Sequence, residues 1–226
     1  MTPYYADEAV TLYHGDCREV TEWLEADVLV MDPPYGRAWR QGSLKGHAKN
    51  ANSAGIANDE STAVRDQILT TWGSAKPAVV FGDLMLPMPP GTKLVGVYQK
   101  DITCGLRGAI GGVRRDAEAV YLVGKWPSGI GGRSSVFATK AQITGSHGLV
   151  ARTGGHPHAK PGDVMTQLID LTRGVIADPT SGGGSTLVTA KALGRKAIGV
   201  ELEEKWCEII ARRLSQDVLD FEGGAA

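Results

Sequence analysis

The residues Asp32-Pro33-Pro34-Tyr35 combine hydrogen-bond acceptors with an aromatic ring. They directly follow residues 27–31, whose aliphatic side chains predict a buried strand that the two prolines end. The four residues then lie at the carboxyl edge of a sheet, where ligands bind in open α/β folds. An ionised aspartate only accepts hydrogen bonds, and the Pro33 carbonyl is a second acceptor in a rigid backbone. Two acceptors and a flat ring suit a planar group that carries an NH2, such as the amino edge of a nucleobase.

The alternative interpretation of this tetrad is structural. A proline turn can follow a strand, with Asp32 capping the next segment. A second motif, near the other end of the chain, favours the chemical interpretation.

The second motif is the glycine-rich stretch at residues 182–184. It is preceded by a predicted strand, Gly174–Asp178, and it opens a predicted helix. Glycines let a backbone approach a ligand closely, because no Cβ intervenes. Glu201 lies 19 residues after Gly182, at the end of the next predicted strand. In nucleotide-binding α/β units, an acid at this place holds the ribose hydroxyls.

The spacing also limits the kind of ligand. A phosphate-binding loop needs a lysine before Ser185-Thr186, and Gly184 stands there instead. A dinucleotide fingerprint needs a third glycine where Leu187 stands. A nucleoside without phosphate is therefore favoured, and S-adenosylmethionine is the common one. The alternative is a tight turn with no ligand.

Strands and helices alternate along the chain and predict one doubly wound α/β domain over residues 1–226. The predicted strands are Val10–His14, Asp27–Met31, Ala78–Phe81, Lys93–Lys100, Ala117–Val123, Gly174–Asp178 and Lys196–Glu201. The predicted helices are Arg18–Glu25, Ala63–Trp72, a segment around Val164–Ile169, the segment up to Leu193, and Glu203–Leu214.

Two stretches lack regular periodicity. Residues 36–62 predict a long loop directly after the tetrad, well placed to close over a substrate. Residues 125–159 predict a small irregular insert, with short strands around Ser135–Ala138 and Leu149–Ala151.

The charge is unevenly distributed although the net charge is only −1. No acid occurs in residues 36–58 or 119–162. Such stretches suit a polyanion, since phosphate contacts dominate nucleic-acid affinity. Solvated loops with chance charge are the alternative. The candidate nucleic-acid-binding residues are Arg37, Arg40, Lys45, Lys49, Arg133, Lys140 and Arg152.

Composition places the chain among ordinary globular proteins, with 226 residues, 42% apolar and 22% charged. No apolar run approaches the roughly 20 residues of a membrane helix, and Asp7 and Glu8 interrupt any signal peptide. Cys17, Cys104 and Cys207 show neither disulfide nor metal spacing, which predicts a reducing cytoplasm and no metal.

Together the two motifs resemble those of the beta-class DNA amino-methyltransferases, in which the catalytic tetrad precedes the cofactor motif in a circularly permuted order. The tetrad matches the catalytic motif, and residues 178–186 resemble the cofactor loop Asp-Pro-Phe-x-Gly-Ser-Gly-Thr-Thr. Residues 156–161 resemble the segment before the cofactor helix, with Ala159 replacing the usual glutamine. Residues 15–17 resemble the segment that contacts the cofactor's adenine. Residues 98–100 match the family's Trp-x-Lys segment only weakly.

This resemblance implies a Rossmann-like permuted sheet, S-adenosylmethionine as cofactor, DNA as substrate and no metal. It implies that residues 125–159 recognise the target, and it suggests a homodimer and a cognate restriction endonuclease. The implied catalytic residues are Asp32, Pro33, Pro34 and Tyr35. The implied cofactor-binding residues are Asp16, Cys17, Asp32, Lys160, Asp178, Pro179, Thr180, Gly182, Gly184, Ser185 and Glu201.

The expected chemistry is methyl transfer to the amine of a base flipped out of the duplex. Tyr35 stacks on the base while Asp32 and the Pro33 carbonyl accept its two amino hydrogens. Aspartate in the first position of the tetrad favours adenine N6 in this family, since serine is more usual for cytosine N4. The alternatives are cytosine N4 in DNA, an RNA substrate, or a non-catalytic nucleic-acid-binding module of the same fold.

Overall fold

Among the residues described by the computed structural model, nine strands form a central mixed sheet. The model describes residues 1–38, 55–102, 104, 109–129, 131–142, 148–153, 155–156 and 158–216. The strands are β1 Tyr5–Ala6, β2 Val10–His14, β3 Val28–Met31, β4 Ala78–Gly82, β5 Thr92–Gln99, β6 Ala117–Val123, β7 Val136–Ala138, β8 Ile176–Asp178 and β9 Ala197–Glu201.

The sheet order is β1-β2-β9-β8-β3-β4-β6-β5-β7. The five strands from β2 to β4 in this order run parallel to one another. β6 runs antiparallel between β4 and β5. The carboxyl ends of the parallel strands, the start of β6 and the end of β5 therefore meet at one edge, which the site occupies.

The helices cover both faces of the sheet. They are α1 Ala63–Trp72, α2 Leu149–Arg152, α3 Gly162–Ile169, α4 Ser185–Ala192 and α5 Glu204–Ser215, with a 3-10 turn at Glu22–Glu25. Alternate residues of β3 face opposite sides, as the two-residue period of a strand requires. Val28 and Val30 pack in a core with residues of α3, α4 and α5, whereas Leu29 and Met31 pack with Trp23 and with α1. This two-sided packing confirms the predicted doubly wound α/β class.

The structure corrects two predicted elements. Residues 149–151 are not a strand but the start of α2, which Thr153 closes by donating from its hydroxyl to the Leu149 carbonyl (2.8 Å). The predicted helix Arg18–Glu25 is instead a turn followed by the 3-10 segment Glu22–Glu25. In the turn, the Asp16 carbonyl accepts from the N–H groups of both Glu19 and Val20. The two-residue strand β1 was too short to be predicted.

A hydrogen bond joins the two described ends of the predicted loop after the tetrad. Gly36 donates its N–H to Asp59 Oδ1 (2.7 Å), and Asp59 is 2% exposed. Neither described end of residues 36–62 forms a helix or strand, and residues 39–54 lie outside the described residues. In the described ranges, no helix has the length and apolar character needed to cross a membrane.

Candidate active site

Both predicted motifs reach the same edge of the sheet. β3 and β9 flank β8, so the carboxyl ends of three parallel strands are neighbours. The tetrad follows β3, the glycine-rich turn follows β8, and Glu201 ends β9. A cavity of about 600 Å³ opens at this edge, and its wall includes Asp32, Gly182 and Glu201. The structure thus brings the two halves of the predicted site together.

The cavity wall contains the whole tetrad and most of the predicted cofactor-binding residues. The latter are Asp16, Cys17, Asp32, Lys160, Asp178, Pro179, Thr180, Gly182, Ser185 and Glu201. Gly184 instead faces α5: its φ is +77°, and an added Cβ would lie 2.8 Å from Ile210 Cγ1. Helix packing therefore accounts for this glycine, and a ligand is not needed to explain it.

In the tetrad, Asp32 and Tyr35 are joined. The Tyr35 hydroxyl lies 2.7 Å from Asp32 Oδ1 and 3.0 Å from Glu118 Oε2. Among the described residues, no donor pairs with the carbonyl of Pro33, a buried residue. Within the described residues, the Pro33 carbonyl is thus unpaired, while the Asp32 carboxylate already accepts hydrogen bonds from its neighbours.

Lys160 is the second partner of Asp32. Its Nζ is 2.6 Å from Asp32 Oδ2, 3.2 Å from Glu118 Oε2 and 3.2 Å from the Tyr35 hydroxyl. Lys100 pairs with the other oxygen of Glu118. The Lys160 side chain is only 7% exposed, so these two cations and two anions form a largely buried, charge-balanced cluster. The resemblance assigned Lys160 to the cofactor, but its ammonium lies at the tetrad.

The cluster fixes the charge of its members. Burial by itself would lower the pKa of Lys160, yet Asp32 and Glu118 raise it above its ordinary value. Burial would likewise raise the pKa of Glu118, but Lys160 and Lys100 hold it below its usual range. Burial and the two carboxylates raise the pKa of Tyr35 far above neutral pH. At neutral pH Lys160 and Glu118 are therefore charged, and the Tyr35 phenol is neutral.

Glu201 binds the glycine-rich turn to β9. Its two oxygens accept the N–H groups of Gly182 (2.7 Å) and Glu203 (2.8 Å). The residue is 8% exposed, and burial raises its pKa to about 7. Each carboxylate oxygen retains a second lone pair, so the group can still accept from a ligand hydroxyl.

The glycines of this turn also allow close packing against the segment before α3. A Cβ on Gly182 would lie 3.1 Å from His156 Nε2, and one on Gly183 would lie 3.1 Å from His156 Cβ. The His156 ring packs edge-on against Trp206, with ring centroids 4.6 Å apart. The predicted close approach is real, although its partner in the structure is a side chain of the protein.

Polar groups on this side of the cavity suit a nucleoside. Thr180 Oγ1 is buried and has no hydrogen-bond partner within the described residues. Burial raises the pKa of Asp178 to about 7, which marks a carboxyl without a compensating cation. The buried Thr180 hydroxyl needs a partner, and a hydroxyl or amino group of a nucleoside would supply one. The residues present therefore fit the predicted kind of cofactor.

The segment predicted to contact adenine is partly engaged elsewhere. Arg18 Nε lies 2.8 Å from Asp16 Oδ1 and 3.0 Å from Asp16 Oδ2. The Cys17 carbonyl accepts from Trp23 Nε1 (3.0 Å), which anchors the turn to the core. Asp16 and Cys17 still line the cavity.

The predicted nucleic-acid-binding residues are scattered. Arg37 lines the cavity but pairs with Asp83. Arg133 and Lys140 are exposed and lie outside the cavity wall. Arg40, Lys45 and Lys49 lie outside the described residues, and for Arg152 only its place at the end of α2 is described.

Sequence reasoning missed Glu118, and with it the cluster that it completes. The available signal was an acid near the start of an otherwise apolar predicted strand, seven residues ahead of Lys125. Its position at the edge became evident only when β6 was placed antiparallel beside β4. Arg114 and Arg115, which precede β6, also line the cavity.

In the described part of the chain, no group of three or more His, Cys, Asp or Glu residues could hold a metal ion.

Comparison with known proteins identifies relatives. The Type II methyltransferase M2.LlaDCHI of Lactococcus lactis subsp. cremoris is 38% identical over 66 residues, which are 28% of this chain and 24% of that protein. M2.DpnII of Streptococcus pneumoniae, also a Type II methyltransferase, is 36% identical over 67 residues, which are 28% of this chain and 25% of that protein. The alignments thus span about a quarter of the length of these relatives.

Among solved structures, the fold is similar to that of the PvuII DNA methyltransferase (cytosine-N4-specific), with a TM-score of 0.64, 15% identity, and coverage of 96% of this chain and 90% of that chain. The M1.HpyAVI-SAM complex gives a TM-score of 0.62 at 18% identity, with coverage of 92% and 100%. At such identities the likeness concerns the fold alone.

The family model N6_N4_Mtase, described as DNA methylase, matches residues 48–212. This range is more than half of the chain and contains Glu118, Lys160, the glycine-rich turn and Glu201. The chain therefore belongs to this family of DNA methylases.

Proposed function

We propose that the chain is a DNA methyltransferase that moves a methyl group from S-adenosylmethionine to adenine N6 of a base flipped out of the duplex. One observation carries the proposal: the Asp32 carboxylate and the Gly182 turn face a single cavity. An acceptor for an amine and a cradle for a nucleoside thus share one space. Transfer between two bound molecules requires this proximity.

The cofactor side is formed by the ends of β8 and β9. Glu201, fixed by the N–H groups of Gly182 and Glu203, accepts the ribose hydroxyls. Thr180 Oγ1 and Asp178 supply further polar contacts in the wall. When bound, S-adenosylmethionine supplies an electrophilic methyl group.

The base side is formed by the tetrad. Asp32 and the Pro33 carbonyl accept the two amino hydrogens of the flipped base, which favours a tetrahedral nitrogen with its lone pair directed at the methyl group. Tyr35, whose hydroxyl is fixed by Asp32, offers its ring for stacking. A stacked base gains roughly 1–3 kcal/mol in single-strand binders. No strong base is needed before attack, because the nitrogen becomes acidic only after methylation.

The choice of adenine rests on Asp32 standing where serine is more usual for cytosine N4 in this family. The chemistry at the two amines is otherwise closely similar.

The proposal also includes a cytoplasmic setting, a homodimer and a cognate restriction endonuclease. Light scattering on the purified chain tests the dimer, and cleavage protection of methylated DNA tests the endonuclease.

The decisive experiment expresses the chain in cells that lack DNA methylation and measures modified nucleosides by mass spectrometry. We expect N6-methyladenine in the DNA, at sites that nanopore sequencing then locates. N4-methylcytosine instead would correct the base while keeping the enzyme. Methylation confined to RNA would correct the substrate, and no methylated nucleoside at all would refute the function.

The matched variant is Asp32→Ala. Because Asp32 is the side-chain acceptor for the amine, we expect transfer to be abolished while cofactor binding stays measurable by calorimetry. Asp170→Ala, an exposed carboxylate at the end of α3, should behave as wild type. Full activity in the Asp32 variant would contradict the assigned chemistry.

A further inference from the structure

Three large apolar side chains are exposed close together after β4. Leu84 is 50% exposed, Met85 is 78% exposed and Met88 is 55% exposed. Leu84 and Met85 also line the cavity that contains the tetrad. They therefore stand at its rim, where solvent and cavity meet. Clustered exposed apolar groups of this kind mark an interaction surface.

The turn that carries these side chains, residues 83–88, is firmly braced. Asp83 accepts the Met85 N–H at Oδ1 (2.8 Å), and its carbonyl accepts the Tyr121 hydroxyl (3.0 Å). Buried Arg65 donates to the Pro87 carbonyl (2.8 Å). Arg37 pairs with the Asp83 carboxylate. A braced turn can insert a side chain into a partner without a large loss of conformational entropy.

Three arginines lie at the same rim, two of them paired with acids. Arg37, Arg114 and Arg115 line the cavity together with the turn. Arg115 is exposed and has no ion-pair partner in the described part of the chain, whereas Arg114 pairs with Asp116. An apolar projection beside arginines matches the chemistry of a duplex, which offers stacked bases between rows of phosphates.

We propose that this turn meets the DNA duplex beside the target base and that Met85 enters the stack at the place the flipped base leaves. The inference rests on the proposed function and names the element that opens the duplex. Flipping a base costs free energy, because the base loses its stacking and its pairing. Apolar wedges such as methionine and leucine offset this cost by filling the gap.

A second copy of the chain is the other candidate partner for this surface. A protein seated on Leu84 and Met85 would cover the rim of the cavity that a base has to enter. The exposed Arg115, which has no ion-pair partner among the described residues, also favours a polyanion over an identical chain. The observations therefore favour DNA, and the test includes the oligomeric state.

The test compares Met85→Ala with wild type on three substrates that carry the mapped site: a normal duplex, a duplex with an abasic position opposite the target base, and a single strand. On the normal duplex we expect kcat/KM to fall about tenfold, since each 1.4 kcal/mol of lost stabilisation is a factor of ten. On the abasic duplex and the single strand, where the base is already unpaired, the variant should stay within about twofold of wild type. Val136→Ala, an equally apolar substitution at a 45% exposed site on β7, is the control.

An equal loss on all three substrates, or no loss on the normal duplex, would overturn the wedge. A change in the oligomeric state of the Met85 variant, measured by light scattering, would assign the surface to a second copy. If wild type methylates none of the three substrates, the proposed function fails, and that result is distinct from a failure of the wedge.

Discussion

The Asp32 carboxylate shares its two oxygens between the Tyr35 hydroxyl and the Lys160 ammonium. Lys160 in turn contacts Glu118, which stands on β6, two strands away from β3. The position of the Asp32 carboxylate, the proposed acceptor, thus depends on a residue outside the tetrad. We treat Glu118 as a positioning residue, because it acts on the amine only through Lys160, Tyr35 and Asp32.

Replacing Glu118 by glutamine tests this dependence. Lys160 would lose one of its two anions, and its ammonium would be drawn further onto Asp32. We expect kcat to fall by about 10- to 100-fold, as displacements near 1 Å do in other sites. Glu118 also helps to raise the pKa of Lys160. Stability from a raised lysine pKa is lost as pH rises through that pKa, so the variant should lose activity and stability at a lower alkaline pH than wild type.

Initial rates and thermal melts over neutral to alkaline pH measure both effects. The control is Asp116→Asn. Asp116 lies two residues before Glu118, is partly exposed and pairs with Arg114. If the pH profile of the Glu118 variant matched those of the Asp116 variant and wild type, Glu118 would only fill space.

The raised pKa of Glu201, about 7, predicts a pH dependence for the cofactor. Ribose hydroxyls donate to the carboxylate form, so affinity should increase as pH rises through about 7. The sign for stability is opposite: an acid with a raised folded pKa binds protons more tightly when folded, so its contribution to stability falls as pH rises toward that value. Calorimetry with S-adenosylmethionine over this pH range measures the affinity.

In Glu201→Gln we expect weaker binding and a flatter pH profile. Any remaining dependence near pH 7 would belong to Asp178, whose pKa burial raises to about 7 as well. Unchanged affinity in this variant would remove Glu201 from the cofactor site.

Among the elements, the junction of α4 and α5 depends on one glycine. Gly184, with φ +77°, precedes α4 and lies against Ile210. Gly194, with φ +65°, follows α4 and has no atom within 4 Å of an added Cβ. The two positions therefore separate backbone strain from loss of packing space.

We expect Gly194→Ala to lower the free energy of unfolding by about 1–2 kcal/mol, the cost of left-handed backbone for alanine. Gly184→Ala adds an overpacking cost of about 1–3 kcal/mol to the same backbone cost. Urea denaturation of both variants measures the difference. Equal losses would mean that α5 moves away freely and that packing does not explain the glycine.

Most elements were predictable because their signals are local. The predicted bounds of α1 and β6 agree with the structure residue for residue, and the Pro33-Pro34 pair marked the end of β3. The glycine-rich turn and Glu201 were predictable because their spacing follows from one strand-turn-helix-strand unit. Glu118 was not predictable in this way, since its place depends on the antiparallel entry of β6 into the sheet.

Across the whole molecule, Lys160 links the two sides of the cavity. Its backbone N–H donates to Ser185 Oγ at the start of α4 (3.1 Å), and its Nζ contacts Asp32. A ligand that orders the glycine-rich turn and α4 would therefore also steady the carboxylate. We expect a non-reactive cofactor analogue and DNA to tighten each other's binding by one common factor, of roughly fivefold or more.

Calorimetric titrations of each ligand with and without the other measure this coupling. Lys160→Met should abolish it, with circular dichroism confirming that the variant is folded. Lys93→Met, at an exposed site on β5, should retain it. Coupling of equal size in both variants would exclude Lys160 as the link.

The pairing of β2 with β9 and of β3 with β8 joins segments that lie far apart along the chain. During synthesis the ribosome releases residues 32–35 long before residues 182–184, so these two parts of the cavity wall can meet only late. This edge of the cavity is complete only once Ala197–Glu201 lies between β2 and β8. Contacts of such long range form slowly, so we expect this sheet to fold slowly for a domain of its size.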